Sequence, residues 1–333
     1  MKLFLHVGMG KTGTSSIQQA LSQAEDELHA QGLHYLGMWF SIVHPKFDGI
    51  AGMRTFVSGD PEQLRTGAQA IVREMEKIKA QTGCDTFVFS NEDLYGHVAN
   101  LDPLIEELAK EVDLRIILYI RDIQSWLPSA YVQWAIRHKT RPGPIQTFRD
   151  QASRWVGTYR ALAVWERKYS DFLTFCKFDK TVDVVEDFGR TIGVTIPPVK
   201  KRVLERGEDV ELLLRALFNT RFKSEVFPDR FNTFVMNPNR DTVQTLEEAT
   251  KKYLTFDGGT EVFADDLDDF KALGERIGVD FTSGQEKEAK QRDMDAMRAR
   301  MLEYLIEVTL SQAAHMQRMS NRLKKLEEKM GDD

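Results

Sequence analysis

The chain has 333 residues, of which 42% are hydrophobic and 29% charged, so it can bury a substantial core. Its net charge of −6 argues against a general binder of nucleic acids or anionic membranes, since such proteins carry a basic surface. The chain has two cysteines, Cys84 and Cys176, and no CxxC pair, which fits a reducing compartment. Its N-terminal apolar run is too short for a signal peptide, and no apolar run is long enough to cross a membrane. We therefore expect a cytoplasmic protein.

Short apolar runs rich in β-branched and aromatic residues predict buried parallel strands. These runs cover residues 3–7, 86–90, 114–120 and 172–178. Amphipathic patterns predict helices over residues 14–30, 61–82, 102–111, 145–169, 182–194 and 208–219. This alternation predicts an α/β fold, a doubly wound parallel sheet flanked by helices, which binds its ligands beyond the carboxyl ends of the strands.

The end of the chain differs in composition from the rest. Residues 285–330 contain no Gly or Pro and carry apolar residues at alternating spacings of three and four, which predicts one long helix with a stutter at Gln312. Two interpretations remain open: a short coiled coil that makes the protein oligomeric, or a helix folded back on the body. We therefore divide the chain into an α/β domain of residues 1–284 and a helical extension of residues 285–330.

A glycine-rich loop lies between the first strand and the first helix. Residues 6–18 read HVGMGKTGTSSIQ, with glycines that permit sharp turns, a lysine, and hydroxyls at the helix N-terminus. Inward-facing N–H groups and the helix dipole make such a loop an anion site. The residues predicted to hold the anion are Gly8, Gly10, Lys11, Thr12, Gly13, Thr14, Ser15 and Ser16. His6, inside the strand, is expected to support the loop by packing.

This loop departs from the P-loop of nucleoside triphosphatases. The pattern GxxxxGK[ST] needs a glycine where Leu5 stands. The strand at residues 86–90 is followed by Asn-Glu-Asp, without a clear Mg²⁺-binding Asp at its end. The sequence therefore predicts a nucleotide site that works without a metal.

The loop resembles the 5′-phosphosulfate loop of sulfotransferases that use 3′-phosphoadenosine 5′-phosphosulfate (PAPS). It is especially similar to bacterial members, in which a Lys-Thr-Gly-Thr core is followed by a hydroxyl, Ile and Gln. The resemblance implies a P-loop-like sulfotransferase fold with PAPS as the donor. It also implies that Lys11 contacts the bridging oxygen and the 5′-phosphate, while Gly13, Thr14, Ser15 and Ser16 cradle that phosphate.

A second anion site is predicted after residues 114–120. Arg121 ends this strand, and Pro128 predicts a helix that begins there and places Ser129 in its first turn. The guanidinium of Arg121 and the N–H and hydroxyl of Ser129 could bind one anion together. The spacing alone fits a second interpretation equally well, in which Arg121 forms a structural ion pair and Ser129 caps the helix. An Arg at a strand end with Ser eight residues later resembles the 3′-phosphate motif of the same family. The family's late Arg-Lys-Gly element is not evident in this chain.

Sulfuryl transfer, like phosphoryl transfer, is catalysed largely by positioning and charge. Lys11 is the predicted stabiliser of the leaving phosphate oxygen. The acceptor needs a base, and Glu92, in a segment resembling the Ser-x-Glu of bacterial members, is the first candidate, with His97 as the alternative. Asp93 is expected to cap the following helix. The aromatic residues Trp126, Tyr131, Trp134 and Trp155 are interpreted as core.

The leading prediction is a PAPS-dependent sulfotransferase that acts on a hydroxyl or amine of a carbohydrate, lipid or small metabolite, with no nucleic-acid partner. Two other functions remain open: an ATP-dependent small-molecule kinase with a P-loop-like site, and a catalytically inactive nucleotide-binding scaffold. The sequence does not specify the acceptor.

Overall fold

The computed structural model describes residues 1–198, 209–220, 222–228, 231, 245–256, 258–284 and 292–331. Contacts divide the chain into two units. The first consists of Met1–Ala135, Gln146–Arg206 and Phe256–Glu288, and the second of Ile136–Ile145, Gly207–Thr255 and Ala289–Asp333. The domain boundary predicted between residues 284 and 285 stays a prediction.

A five-stranded sheet lies at the centre of the first unit, in the order β2-β3-β1-β4-β5. Its strands are β1 (Lys2–His6), β2 (Leu33–Tyr35), β3 (Thr86–Ser90), β4 (Asp113–Ile120) and β5 (Leu173–Lys177). Every pair in it is parallel. The chain leaves β1 toward one edge and β4 toward the other, so the topological switch point lies between these neighbouring strands. The predicted doubly wound parallel sheet is confirmed.

Helices flank this sheet and build the second unit. In chain order they are α1 (Thr14–Gln23), α2 (Glu25–His29), α3 (Gly49–Val57), α4 (Pro61–Thr82), α5 (Asp102–Glu111), α6 (Ile123–Tyr131), α7 (Phe148–Ala152), α8 (Val156–Tyr169), α9 (Val184–Ile192), α10 (Asp209–Asn219), α11 (Leu246–Leu254), α12 (Gly259–Val262), α13 (Leu267–Ile277) and α14 (Met294–Gly331). Short 3₁₀ turns occupy Phe40–Ile42, Pro45–Phe47, Glu92–His97, Ser153–Trp155 and Ala264–Asp266, and a π-helical turn occupies Val132–Arg137.

Most predicted elements are present, but two of the helices predicted from amphipathic patterns are interrupted. The helix expected over residues 14–30 is broken at Ala24, which is buried. The break divides it into α1 and α2, and each of them buries apolar residues. The helix expected over residues 145–169 begins at Phe148, because Thr147 caps it, and is interrupted by the turn Ser153–Trp155. Strand β2 was not predicted, since three residues at an edge show too little alternation to detect.

The two faces of the sheet carry different helices because side chains alternate along each strand. On one face, Val88 of β3 belongs to a buried cluster with Leu21 of α1 and Phe188 of α9. On the other face, the neighbouring Phe89 packs against Phe40, with 4.9 Å between ring centroids. Helix α1, which begins at the glycine-rich loop, is therefore anchored directly on the central strands.

The second unit contains α10, α11 and α14. The first turns of α14 pack within this unit, where Met297 is buried beside Thr250, with 3.6 Å between Oγ1 and Sδ. Farther along, apolar side chains such as Leu302 and Leu323 are 61% and 59% exposed. The predicted long helix is confirmed from Met294 onward, and residues 285–291 lie outside the described chain. Within the part of the chain that is described, no helix has the length and hydropathy to cross a membrane.

Candidate active site

The glycine-rich loop follows β1 at the carboxyl edge of the sheet, next to the switch point. It continues along β4, since the N–H groups of Val7 and Met9 donate to the carbonyls of Ile117 and Tyr119 at 3.0 and 3.3 Å. It then turns through two left-handed residues, Lys11 at φ 71° and Gly13 at φ 86°. Among the described residues Lys11 is the one non-glycine with a positive φ, and backbone strain of this kind is concentrated at functional sites.

The three glycines of the loop leave no room for a side chain. A Cβ on Gly8 would lie 2.9 Å from His6 Nε2, and one on Gly10 would lie 2.8 Å from the ring of Trp134. On Gly13 it would lie 2.8 Å from Val184 Cγ1. The loop is thus pressed against β1, the π-helical turn and α9, and its backbone conformation is fixed by packing.

Replacing Gly13 with Ala is expected to lower the free energy of unfolding by about 2–5 kcal/mol, because it adds a left-handed penalty and an overlap with Val184. Gly83→Ala is the matched control, since Gly83 has φ 78° with nothing within 4 Å of its Cβ position. That control should lose only about 1–2 kcal/mol in a urea titration. Equal losses in the two variants would show that the contact with Val184 does not constrain the loop.

Several backbone N–H groups of the loop have no hydrogen-bond partner among the described residues. None of the described residues accepts a hydrogen bond from the backbone N–H groups of Gly10, Thr12, Gly13, Thr14 or Ser15. Thr14 Oγ1 is buried and has no hydrogen-bond partner either. In contrast, Thr12 Oγ1 donates to the Met9 carbonyl at 2.6 Å and so holds the loop together. The N-terminus of α1 therefore presents several unused donors at one point, as an anion site requires.

His6 lies directly beneath this loop and is fully buried. Its Nδ1 is 2.8 Å from Ser90 Oγ, which ties β1 to β3. Burial lowers the pKa of His6 to about 3. The imidazole is therefore neutral at physiological pH and acts as a packing element, as the sequence suggested.

The burial of His6 predicts a pH dependence of stability. The unfolded chain binds a proton at His6 below about pH 6.5, whereas the folded chain binds it only near pH 3, so the folded state loses stability as the pH falls below 6.5. The contribution of His6 is fully present above pH 6.5 and should decline by about 1.4 kcal/mol per pH unit below it. We expect His6→Leu to flatten the slope of unfolding free energy between about pH 5 and 6.5 relative to His315→Gln, an exposed control. Identical slopes would contradict this assignment.

Arg121, the residue after β4, joins the loop to α6. It is 5% exposed, and its Nη1 donates to the Lys11 carbonyl at 2.9 Å while its Nε donates to Ser125 Oγ at 3.1 Å. Its guanidinium also lies over the ring of Phe178, 5.4 Å from the centroid. Burial lowers its pKa from the ordinary value, which marks a poorly solvated cation. Within the described chain no carboxylate forms an ion pair with Arg121, so this buried charge suits an external anion.

Helix α6 corrects the prediction for the second anion site. The helix begins at Ile123, where the Asp122 side chain caps it by accepting from the N–H of Ser125 at 3.1 Å. Pro128 lies inside the helix, so Ser129 is not in the first turn as predicted. Ser129 is half-buried, and the residue that contacts Arg121 is Ser125, one turn nearer the N-terminus.

Two aromatic side chains support the loop from α6 and the turn after it. The indole N–H of Trp126, which is fully buried, donates to the Gly10 carbonyl at 2.7 Å. Trp134 packs edge-on against Trp126 with 5.7 Å between ring centroids. From the same turn, Gln133 Oε1 accepts from Lys11 Nζ at 3.4 Å. Trp126 and Trp134 therefore support the loop. Trp126 is buried, as predicted for a core residue, whereas Trp134 is half-buried.

Glu92 begins the 3₁₀ turn after β3 and lies beside α1. Gln18 of α1 donates through Nε2 to the Ser90 carbonyl at 2.9 Å and to Glu92 Oε2 at 3.2 Å. Burial, and then the negative charge of Glu92, raise the pKa of Tyr35. The half-buried carboxylate is therefore oriented by the same helix whose N-terminus carries the loop.

The capping prediction for Asp93, next to Glu92, is wrong. Asn91, not Asp93, caps the turn, because its Oδ1 accepts from the N–H of Asp93 at 2.9 Å. Asp93 instead pairs with Arg54 at 3.3 Å. His97 lies at the far end of the turn, and none of its described contacts reaches the loop.

A comparison with protein families decides the class of this protein. The family model described as a sulfotransferase domain matches residues 4–217. The chain belongs to the sulfotransferase family. No curated protein matches the sequence significantly.

The sulfotransferase match covers the loop, Glu92, Arg121 and the whole sheet except the first two residues of β1. It identifies the chain as a transferase of sulfuryl groups. Members of this family generally use PAPS as the donor. The structure adds supporting residues that the sequence did not single out for a role, namely Gln18, Ser125 and Gln133. Gln18 stands inside the loop motif, whereas no sequence signal distinguishes Ser125 or Gln133.

Proposed function

We propose that this sulfotransferase moves a sulfuryl group from PAPS to a hydroxyl or amine of a carbohydrate, lipid or small metabolite. The observation that carries the proposal is the hydrogen bond from Arg121 to the Lys11 carbonyl. It attaches to the glycine-rich loop a buried cation that forms no ion pair with any carboxylate of the described residues. A donor with phosphates at both the 5′ and 3′ positions needs two cationic sites at a fixed separation. A nucleoside triphosphate needs only the loop and a metal.

The residues present fit such a donor. The unused N–H groups at the start of α1 and the unpartnered Thr14 Oγ1 would hold the 5′-phosphate, while Arg121 would hold the 3′-phosphate. Ser129 would assist Arg121 only through its side chain, since its N–H lies inside α6. The donor supplies an activated sulfuryl group, whose bond to the 5′-phosphate breaks as the bond to the acceptor forms.

Lys11 and Glu92 divide the chemistry in this proposal. Lys11 neutralises the charge that develops on the leaving 5′-phosphate oxygen, and Gln133 orients its ammonium group. Glu92 takes the proton from the acceptor, with Gln18 holding its carboxylate next to α1. His97 remains the alternative base, and its contacts give it less support than Glu92 has.

The test of this function is a transfer assay with radiolabelled PAPS and pooled hydroxyl- and amine-bearing metabolites. We expect label to move to an acceptor in the presence of a metal chelator. The matched comparison is a phosphate-transfer assay with labelled ATP and Mg²⁺ on the same pool. Transfer from ATP but not from PAPS would favour a kinase, and transfer from neither, despite donor binding, would favour an inactive scaffold.

We also propose that α14 makes the protein a homo-oligomer. Apolar side chains that are 45–61% exposed, Leu302, Leu305, Met316, Met319 and Leu323, follow one heptad seam through Thr309 and Gln312. This seam needs no stutter, because the earlier register around Met297 serves packing within the second unit. A second copy of the same helix is the partner that an uninterrupted heptad seam fits best.

Deleting residues 305–333 is expected to convert an oligomer into a monomer, since it removes the whole seam except Leu302 and keeps the packed first turns of α14. The matched variant is the full-length double substitution Met319→Glu and Leu323→Glu, which puts charge into the seam. Light scattering coupled to size-exclusion chromatography measures the mass. A wild-type protein that is already monomeric, or an unchanged mass in both variants, would contradict the proposal.

The predicted cytoplasmic location stays a prediction.

A further inference from the structure

A cluster of metal-ligating side chains lies away from the glycine-rich loop. Among the described residues, Glu25, His29 and His34 bring one carboxylate oxygen and two imidazole nitrogens within 4.8 Å of one another. His29 Nε2 is 2.7 Å from His34 Nδ1 and 4.0 Å from Glu25 Oε1. The histidines are half-buried and their rings stack, with centroids 5.0 Å apart.

Local structure brings these residues together. Glu25 and His29 are the first and last residues of α2, and a spacing of four places them on one face of the helix. The chain then turns at Gly32, with φ 75°, and enters β2, whose central residue is His34. The strands β2, β3 and β1 run in the same direction. The amino end of β2 therefore lies at the end of the sheet opposite the glycine-rich loop, which follows the carboxyl end of β1.

The contact between the two imidazoles constrains their chemistry. Two ring nitrogens 2.7 Å apart must share a single proton, because two protonated histidines would repel one another. Two imidazole nitrogens and a carboxylate oxygen within 4.8 Å of one another form a ligand set that suits zinc.

The distances are compatible with a shared ion after small side-chain rotations. Zinc binds imidazole nitrogen and carboxylate oxygen at about 2.0–2.2 Å, which separates tetrahedral ligand atoms by roughly 3.3 Å. The two imidazole nitrogens would have to part by about 0.6 Å and the Glu25 oxygen approach His29 by about 0.7 Å. The Glu25 side chain is 65% exposed and is able to make this movement.

We propose that Glu25, His29 and His34 bind a zinc ion, with water as the fourth ligand. On binding, the proton between the two rings would move to the other nitrogen of the donating imidazole, and the ion would fasten α2 to β2. Both elements are short, with five and three residues, so neither is stable by itself and a metal clip would stabilise their junction. The role is structural, since the ion lies at the edge of the sheet opposite the glycine-rich loop.

The test is calorimetric titration of zinc chloride into chelator-treated, full-length protein. We expect one equivalent to bind and the melting temperature to rise with zinc concentration. His34→Gln and Glu25→Gln should each weaken zinc binding at least about tenfold. Removing a residue that only hydrogen-bonds to a metal ligand already costs about 10- to 100-fold, so loss of a ligand should cost no less. Glu25→Gln keeps the proposal testable if His34→Gln fails to fold, because Glu25 is exposed.

His315→Gln and Glu27→Gln are the matched controls, since both side chains are exposed and lie outside the cluster. They should bind zinc as the wild type does. The absence of one-equivalent binding in the wild type would overturn the proposal, as would wild-type affinity in both His34→Gln and Glu25→Gln.

Discussion

Lys11→Met is expected to lower kcat for sulfuryl transfer by about 10²–10³-fold, the usual effect of removing one group that stabilises transition-state charge. Met retains most of the side-chain volume, and both residues pay the same left-handed penalty at φ 71°, so the loop should keep its shape. The ammonium acts on charge that develops as the 5′-phosphate leaves. Binding of 3′-phosphoadenosine 5′-phosphate should therefore weaken much less than kcat falls.

Lys110→Met is the control for Lys11→Met, because Lys110 is an exposed residue of α5 that pairs with Glu107. Steady-state transfer assays give kcat. Calorimetry gives the affinity for 3′-phosphoadenosine 5′-phosphate, called the bisphosphate below. A kcat within a few-fold of wild type in Lys11→Met would contradict the assigned role. An affinity loss as large as the kcat loss would instead assign Lys11 to uniform binding of the donor.

Arg121→Lys is expected to remove the preference for a 3′-phosphate. Charge-assisted hydrogen bonds from the guanidinium should favour 3′-phosphoadenosine 5′-phosphate over adenosine 5′-monophosphate by about 10- to 100-fold in the wild type. A lysine keeps the charge but cannot donate both to the Lys11 carbonyl and, in planar geometry, to a phosphate. The ratio of the two dissociation constants should therefore fall toward one.

Arg115→Lys is the matched control, since Arg115 lies on the same strand and is exposed, paired with Asp113 at 3.1 Å. Its preference for the bisphosphate should equal that of the wild type. If Arg121→Lys weakens both nucleotides equally, Arg121 only holds the loop through Lys11 and does not recognise the 3′-phosphate.

The central fold was predictable because its signals are local. Buried parallel strands are continuous apolar runs, and β3 was predicted to the residue. Helix α4 was equally clear, since Asp60 caps it, Pro61 begins it and Gly83 ends it in a left-handed conformation. These signals depend on neighbouring residues alone, so no knowledge of the tertiary structure is needed to read them.

The errors arose where tertiary contacts outweigh local preference. Pro128 has a strong preference for a helix start, yet α6 begins five residues earlier because Asp122 caps it and Trp126 must reach the Gly10 carbonyl. Asp93 is a good capping residue, but Arg54 engages it and Asn91 takes the cap. In both cases a contact distant in sequence selects among conformations that the local sequence allows.

The supporting contacts of the site were beyond sequence reasoning for the same reason. Gln133 meets Lys11 across 122 positions of the chain, and Gln18 meets Glu92 across 74. The cluster of Glu25, His29 and His34 was also missed, since His34 belongs to the edge strand β2 that the sequence did not predict. Pairings of this kind follow from strand order, which the sequence pattern leaves open.

Calorimetric titration of the wild-type protein with 3′-phosphoadenosine 5′-phosphate and with ATP and Mg²⁺ tests the central claim most directly. The first titration is made with a metal chelator present. The account predicts that the bisphosphate binds without metal and more tightly than ATP with Mg²⁺, because Arg121 and the glycine-rich loop supply the positive charge. Tighter binding of ATP with Mg²⁺, or bisphosphate binding that disappears in chelator, would contradict it.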